Sequence, residues 1–189
     1  MDNDLDLVIR QSELNNDHIV FLFYQLLSGL EYIHNRGIAH RDLKPANVGV
    51  NEDFKLRILD FGSACLIQPD SDLTTIVTTQ CYRAPELFLQ EPEYSTKVDL
   101  WAAGCILVEM YTKKTLFWTL PESDQMVRIL TLFGATSAEH PNMLLNQLVP
   151  GAPSNIVNLL EKLLVIDPIK RIPANEALKE ECFSYFPRK

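Results

Sequence analysis

The sequence predicts a mainly α-helical (α+β) fold, in which one small β-hairpin precedes a bundle of helices. Two short apolar segments, 48–50 and 56–59, flank a polar turn and are typical of paired strands. Apolar residues with helical spacing fill 16–35 and much of the chain after residue 90. The 189 residues, 47% of them hydrophobic, can bury one substantial core. No linker divides them, so we expect a single domain over 1–189.

Charge and composition exclude several classes of partner. The formal net charge is −8 and no basic face is evident, which argues against binding nucleic acid. The richest apolar stretch, HIVFLFYQLLSGLEYIHN, is interrupted by polar residues and falls short of the roughly 20 apolar residues that a membrane span needs. The four cysteines form no CxxC pair, so neither a zinc site nor a disulfide framework is indicated. We expect reduced thiols and a cytoplasmic and/or nuclear location.

The first predicted helix covers 16–35. Asn16 can cap its N-terminus and Gly37 is placed to end it. Its first half is apolar nearly all round, as expected for a central helix. We therefore assign this helix to the core.

The predicted hairpin brings two oxygen-bearing side chains together. Its strands are joined by the turn Asn51-Glu52-Asp53, and neighbouring strands lie about 5 Å apart. Asn47 precedes the first strand and Asp60 follows the second, so we expect the two side by side. Asp42 lies a few residues earlier, in the stretch IAHRDLKPANVGV.

Four further helices are predicted after residue 90. STKVDLWAAGCILVEMYT is mostly apolar and can be capped by Ser95 or Thr96. PESDQMVRILTLFG has Pro121 near its start and Gly134 at its end, the preferred asymmetry. PSNIVNLLEKLLV and PANEALKEECF both open with proline and complete the bundle.

The residues around the hairpin suit metal-assisted phosphoryl transfer. Oxygen ligands from Asn47 and Asp60 suit Mg²⁺, which binds few protein groups and takes its other ligands from water and phosphates. Asp42 could accept a proton from a hydroxyl nucleophile. Lys44 could neutralise charge on the phosphoryl group in flight. Positioning and electrostatics supply nearly all the catalysis in such reactions.

Three motifs occur in the order and spacing of a eukaryotic Ser/Thr protein kinase. HRDLKPAN at 40–47 resembles the catalytic loop and DFG at 60–62 resembles the magnesium motif. APE at 84–86 resembles the motif that closes the activation segment, here 60–86. Most of the chain resembles the stress-activated branch of the mitogen-activated protein kinases. The alternative, an unrelated helical domain, requires several ordered motifs to coincide by chance.

The resemblance implies a role for each motif residue. Asp42 would be the catalytic base and Lys44 would steady the transferred phosphate. Asn47 and Asp60 would hold Mg²⁺ and, with Lys44, bind ATP as the second substrate. Three further residues would be structural, with Asp99 holding the catalytic-loop backbone and Arg171 paired with Glu86.

The activation segment departs from the family pattern. Thr74 matches the phosphorylated threonine, with Arg41 as its partner, but Ile76 replaces the phosphorylated tyrosine. Gln80 replaces one of two arginines that cradle the phosphotyrosine and Arg83 matches the other. The resemblance therefore implies regulation at Thr74 without dual phosphorylation. Proline-directed substrate choice is not supported.

The sequence resembles only the large (C-terminal) lobe of a kinase, with the small N-terminal lobe absent. No G-x-G-x-x-G occurs and the first lysine is Lys44. We expect this chain alone to be a poor catalyst, because losing even one preorganised donor costs about 10²–10³ in rate. The face toward the missing lobe, including Leu59, would be an exposed apolar patch, so we expect either marginal solubility of the chain alone or a partner that covers this face.

Two functions stay open at this point. One is a truncated Ser/Thr kinase acting with protein substrates and upstream kinases, favoured by the intact residues Asp42, Lys44, Asn47 and Asp60. The other is a non-catalytic, pseudokinase-like module that engages kinase or kinase-like partners. The missing lobe and the altered activation segment favour this second reading.

Overall fold

The computed structural model describes residues 2–67, 79–89, 94–118, 121–134 and 141–186. Helices predominate in these ranges and strands are few, which confirms the predicted mainly helical fold with a small β component. The helices are α1 Leu5–Gln11, α2 Asn16–His34, α3 Pro85–Phe88, α4 Val98–Thr112, α5 Glu122–Ile129, α6 Pro141–Leu148, α7 Ser154–Leu163 and α8 Ala174–Ala177. The strands are β1 Asn3–Asp4, β2 Ile38–Ala39, β3 Val48–Val50, β4 Leu56–Ile58 and β5 Cys65–Leu66.

Helices α2 and α4 pack against each other at the centre of the core. The N-terminus of α2 is capped by Asn15 and not, as predicted, by Asn16. The Asn15 side chain accepts a hydrogen bond from the backbone N–H of His18 at 2.9 Å, and the His18 ring lies near the Asn15 backbone N–H in return. This reciprocal cap satisfies amides that the first helical turn leaves unpaired.

Helix α4 is buried along almost its whole length. Its cap is Lys97, without a side-chain hydrogen bond, so the prediction of Ser95 or Thr96 as the cap was wrong. The first amides of α4 bond to the carbonyl groups of residues 95–97, which leaves no donor for a capping side chain. Gly104 permits the close approach of α7, since a Cβ atom there would lie 2.8 Å from a methyl carbon of Leu164.

The predicted hairpin is the core of a three-stranded antiparallel sheet in the order β1-β3-β4. Val48 pairs with Ile58, so the second strand ends one residue earlier than predicted. Asn47 consequently faces Leu59, whose N–H donates to the Asn47 carbonyl oxygen at 2.8 Å. Asp60 comes one residue later, with left-handed backbone at φ 56°. A second sheet pairs β2 with β5.

The C-terminal helices differ from their predicted extents. Helix α5 passes directly into a π-helical turn at Leu130–Gly134. The predicted helix over 173–183 is two pieces, α8 and a 3₁₀ turn at Glu181–Phe183, because extended backbone at Glu180 interrupts the helical hydrogen bonds. Helices α1, α3 and α6 were not predicted. Among the described residues, no helix combines the length and apolar character needed to cross a membrane.

Candidate functional site

Asp42 lies at the centre of a compact hydrogen-bonded cluster, which we call the Asp42 cluster and which comprises Asp42, Lys44, Asn47 and Thr79. Lys44 Nζ donates to Asp42 Oδ2 at 2.9 Å, and Asn47 Nδ2 donates to the same oxygen at 3.0 Å. The backbone N–H and hydroxyl group of Thr79 donate to Asp42 Oδ1 at 3.0 and 2.8 Å. These four donors match the roughly four acceptor positions of a carboxylate.

The hydroxyl group of Thr79 joins the two charged groups of the cluster. It donates to Asp42 Oδ1 and accepts from Lys44 Nζ at 2.8 Å. Thr79 lies 37 residues beyond Asp42, in the C-terminal half of the predicted activation segment. The cluster therefore couples the position of that segment to the Asp42 carboxylate.

The environment of Asp42 holds its carboxyl group ionised. Burial alone would raise the pKa of Asp42, but hydrogen bonds from Lys44 and Thr79 outweigh it and hold the pKa below its ordinary value. Because every acceptor position is in use, Asp42 can accept a substrate proton only after one donor moves away. The Lys44 ammonium and the Thr79 hydroxyl group are the donors on rotatable side chains best able to do so.

Asp99 holds the backbone of the segment before Asp42 from the core side. Its carboxylate, at the start of α4, accepts from the backbone N–H groups of His40 at 2.8 Å and Arg41 at 2.9 Å. His34 Nε2, at the end of α2, lies 2.9 Å from the same carboxylate. These contacts fix a strained residue, because Arg41 has φ 67°.

His40 links this loop to the segment that carries Asp60. His40 Nε2 lies 2.8 Å from the Leu59 carbonyl oxygen, and the imidazole makes an edge contact with the ring of Phe61. The exposed Asp60 side chain accepts from the Gly62 N–H at 3.2 Å. A Cβ atom at Gly62 would approach Asp60 Oδ1 to 3.1 Å, so the turn favours glycine there.

Asn47 and Asp60 carry the kind of oxygen ligand that a hard metal cation requires. Asn47 Nδ2 donates to both the carbonyl oxygen and the carboxylate of Asp42, which fixes the amide and turns its Oδ1 away from them. That oxygen and the Asp60 carboxylate fit the sparse oxygen ligation of Mg²⁺. Within the described ranges, no group of three or more His, Cys, Asp or Glu side chains forms a metal cluster.

Glu86 and Arg171 form a buried ion pair behind the site. Two guanidinium nitrogens of Arg171 donate to the two carboxylate oxygens of Glu86 at 2.7 and 2.8 Å. Arg171 also donates to the carbonyl oxygens of Val165 and Lys97. The pair thus ties α3 to the residues that precede α4.

The predicted regulatory residues are only partly described. Thr74 and Ile76 lie outside the described residues. Arg41 Nε donates to the Ser63 carbonyl oxygen at 2.5 Å and Arg41 Nη1 to the Tyr94 hydroxyl group at 2.7 Å. The guanidinium of Arg83 lies over the ring of Phe88, 5.2 Å from its centroid.

Sequence reasoning missed three residues that support the site. They are His34, Tyr94 and the buried Gln125, whose Nε2 donates to the Gln80 carbonyl oxygen at 2.7 Å. Each contacts its partner across 45 to 65 residues of sequence. No local spacing could have revealed these contacts.

The family model and the curated relatives that match this chain agree with one another. The protein kinase domain family matches residues 1–183. Mitogen-activated protein kinase 14 of Xenopus laevis is 42% identical over 205 residues, covering 98% of this chain and 56% of that protein. Mitogen-activated protein kinase pmk-1 of Caenorhabditis elegans is 43% identical, covering 96% and 52%, and mitogen-activated protein kinase 12 of Homo sapiens is 42% identical, covering 97% and 54%. The chain spans about half the length of these curated relatives.

Proposed function

The chain belongs to the protein kinase family, with relatives in its stress-activated mitogen-activated branch, and from this we propose that it transfers phosphoryl groups from Mg·ATP to Ser/Thr hydroxyl groups of protein substrates. The observation that carries the proposal is the Asp42 cluster. In it an ammonium group and an amide both donate to the same ionised carboxylate, at 2.9 and 3.0 Å.

Each residue has a distinct role in this proposal. Asp42 orients the substrate hydroxyl group and takes its proton once Thr79 or Lys44 has released a carboxylate lone pair. Lys44 then offers its charge to the transferred phosphoryl group. Asn47 and Asp60 hold the magnesium ion, which neutralises phosphate charge when bound.

The structural residues keep this arrangement rigid. Asp99 fixes the loop backbone on both sides of the His40 Cα atom, through the N–H groups of His40 and Arg41. The Glu86–Arg171 pair anchors the end of the activation segment to the body of the domain. Rigid support matters because preorganised groups lose no energy to reorganisation during the reaction.

We further propose that residues 1–189 form one domain equivalent to a kinase large lobe. The absence of a glycine-rich phosphate loop from the sequence and the half-length coverage of the relatives support this assignment. An ATP cleft also needs the loop and a lysine of a small lobe. The 189-residue chain by itself should therefore be a poor catalyst.

Regulation and partners form a separate part of the proposal. Thr74 would accept an activating phosphate from an upstream kinase, with Arg41 as its partner and Arg83 nearby in the segment. A phosphate adds close to two negative charges, which an arginine binds strongly. Cytoplasmic or nuclear signalling partners fit this role.

The second candidate function is a non-catalytic, pseudokinase-like binding module. The observation that favours it is the exposure of three large apolar side chains after β4, which are Leu59, Phe61 and Leu66. Exposed apolar surface of this kind often marks an interface. A kinase or kinase-like partner would cover it.

Titration with Mg·ATP tests the two candidates. We expect Mg·ATP to raise the melting temperature of the 189-residue chain, and Asp60→Asn to weaken that rise by removing one metal ligand. Asp53→Asn is the matched control, because Asp53 lies in the exposed turn between β3 and β4. A wild-type chain that shows neither a thermal shift nor transfer to a generic protein substrate would favour the binding module.

A further inference from the structure

The Arg41 guanidinium is held by neutral groups. Its Nε donates to the Ser63 carbonyl oxygen at 2.5 Å and its Nη1 donates to the Tyr94 hydroxyl group at 2.7 Å. In the part of the chain that the structure describes, Arg41 forms no ion pair with a carboxylate. Its charge is therefore stabilised by two dipoles instead of an anion.

These two contacts join three separate segments. Arg41 lies in the loop immediately before Asp42, and Ser63 ends the 3₁₀ turn Phe61–Ser63 that follows Asp60. Tyr94 lies in the segment that leads into α4. The position of the guanidinium thus fixes the Asp42 loop relative to the segment carrying Asp60.

Arg41 needs such support because its backbone is strained. A left-handed conformation costs a non-glycine residue about 1 kcal/mol or more, and Arg41 has φ 67°. Asp99 holds the backbone N–H of Arg41 from the core side. Tyr94 and Ser63 hold the other end of the residue, so backbone and side chain are fixed independently.

Tyr94 is a well-defined anchor. Only 8% of the residue is exposed, so its ring is fixed by packing. Burial raises the pKa of the Tyr94 phenol above its ordinary value, although Arg41 opposes the rise, and the hydroxyl group stays neutral at physiological pH. A neutral hydroxyl group can accept from Arg41 while its own proton remains available to another acceptor.

We propose that Tyr94 is a positioning residue of the phosphoryl-transfer site, whose hydroxyl group holds Arg41, and with it the backbone at Asp42, before any phosphate is added to the activation segment. The inference rests on the proposed function and deepens it. Two of the five N–H donors of Arg41 are used in these contacts, which leaves others for a phosphate group. A phosphate on Thr74 would then reinforce an arrangement that already exists.

Tyr94→Phe tests the proposal, because it removes the hydroxyl group and keeps the ring. Tyr111→Phe is the matched control. The hydroxyl group of Tyr111, on α4, donates to Asn16 Oδ1, on α2, at 2.5 Å, and this contact lies away from the Asp42 loop. The first readout is the NMR signal of the Arg41 Nε–H group, assigned by its loss in Arg41→Lys. The second is hydrogen exchange of the Arg41 backbone amide.

We expect the Arg41 Nε–H signal to shift and the Arg41 amide to exchange about tenfold faster in Tyr94→Phe, as the loss of one hydrogen bond to a charged group implies. Amides in the middle of α4 should keep their wild-type exchange rates, which separates local release from general destabilisation. Tyr111→Phe should leave both Arg41 readouts unchanged. Unchanged Arg41 readouts in Tyr94→Phe would overturn the proposal.

Kinetics then separate this inference from the proposed function. If the wild-type chain transfers phosphate, Tyr94→Phe should lower kcat about tenfold with little change in the KM for ATP. Equal kcat values for Tyr94→Phe and Tyr111→Phe would contradict a positioning role. A wild-type chain that shows neither phosphoryl transfer nor a thermal shift with Mg·ATP contradicts the proposed function alone, and the NMR and exchange readouts still decide whether Tyr94 holds Arg41.

Discussion

Asp42 and Asp99 lie on opposite sides of the same loop and are held by different kinds of donor. The Asp42 side chain is 15% exposed, and three of its four hydrogen bonds come from side-chain groups. The Asp99 side chain is 1% exposed, and its shortest contacts come from two backbone N–H groups and the His34 ring. The carboxylate of Asp42 is thus partly accessible to solvent, whereas the carboxylate of Asp99 is fully enclosed.

The difference in donors supports the reactive role that we propose for Asp42 and the supporting role that we propose for Asp99. Side-chain donors can rotate away and return, so the bonds to Asp42 can change while the fold is kept. Backbone donors move only if the loop itself moves, so Asp99 fixes the loop geometry. Removing the hydrogen-bond partners of a buried carboxylate also lowers the free energy of unfolding far more than removing those of an accessible carboxylate. Substitutions at the two positions should therefore have different consequences.

The largest expected effect is on activity at Asp42. If the protein transfers phosphate as proposed, Asp42→Asn should lower the rate of phosphoryl transfer about 10²–10⁴-fold, because the proposed proton acceptor is lost. The free energy of unfolding should fall by only about 1 kcal/mol, since water can replace the lost contacts. A radiolabelled phosphate assay and urea unfolding measure the two quantities. Asp53→Asn, in the exposed turn, should change neither.

The next largest effect is on stability at Asp99. Asp99→Asn places an amide N–H group against backbone N–H donors in a buried position, so the free energy of unfolding should fall by about 3 kcal/mol. Urea unfolding of this variant beside Asp42→Asn gives the comparison directly. Equal losses for the two variants would contradict the division of roles between the two aspartates.

A smaller effect is expected at Thr79. Thr79→Val removes the hydroxyl group that links Lys44 to Asp42, and should lower the free energy of unfolding by about 1 kcal/mol. Thr79→Ser retains the hydroxyl group and should stay close to wild type. A Thr79→Val variant as stable as Thr79→Ser would show that the hydroxyl link between Lys44 and Asp42 contributes nothing measurable to stability.

The smallest expected effect is the contribution of Asp42 to acid sensitivity. Because the folded-state pKa of Asp42 is lowered, its ionised form stabilises the fold above the ordinary carboxyl pKa. That contribution is lost as the pH falls through the lowered value. Urea unfolding at neutral pH and in the acid range should therefore show a smaller loss of stability for Asp42→Asn than for wild type. An identical pH dependence would show that Asp42 is not selectively stabilised in its ionised form.

Part of this site could be predicted from the sequence because its residues are close along the chain. Asp42, Lys44 and Asn47 fall within six residues, and the polar turn before β4 indicated a hairpin behind them. The register of that hairpin was one residue off, since β4 ends at Ile58 and Asp60 has left-handed backbone. Strand ends depend on pairing, and local composition does not fix them.

The distant supports of the site could not be predicted by spacing. His34 and Tyr94 are 65 and 53 residues away from the partners they contact. Each is a common residue type at the end of a helix or in a connecting segment, and nothing nearby in the sequence distinguishes it. Their roles arise from the packing of α2 and α4 around the loop.

The sequence by itself determined the helical character of the chain, the presence of the hairpin and the identity of the motif residues, because periodicity and short motifs are local properties. Tertiary structure decided which groups occupy the acceptor positions of Asp42 and Asp99, and that Arg41 rests on Tyr94 and Ser63. Hydrogen bonding depends on tenths of an ångström and on burial. Only the folding of distant segments onto one another sets those quantities.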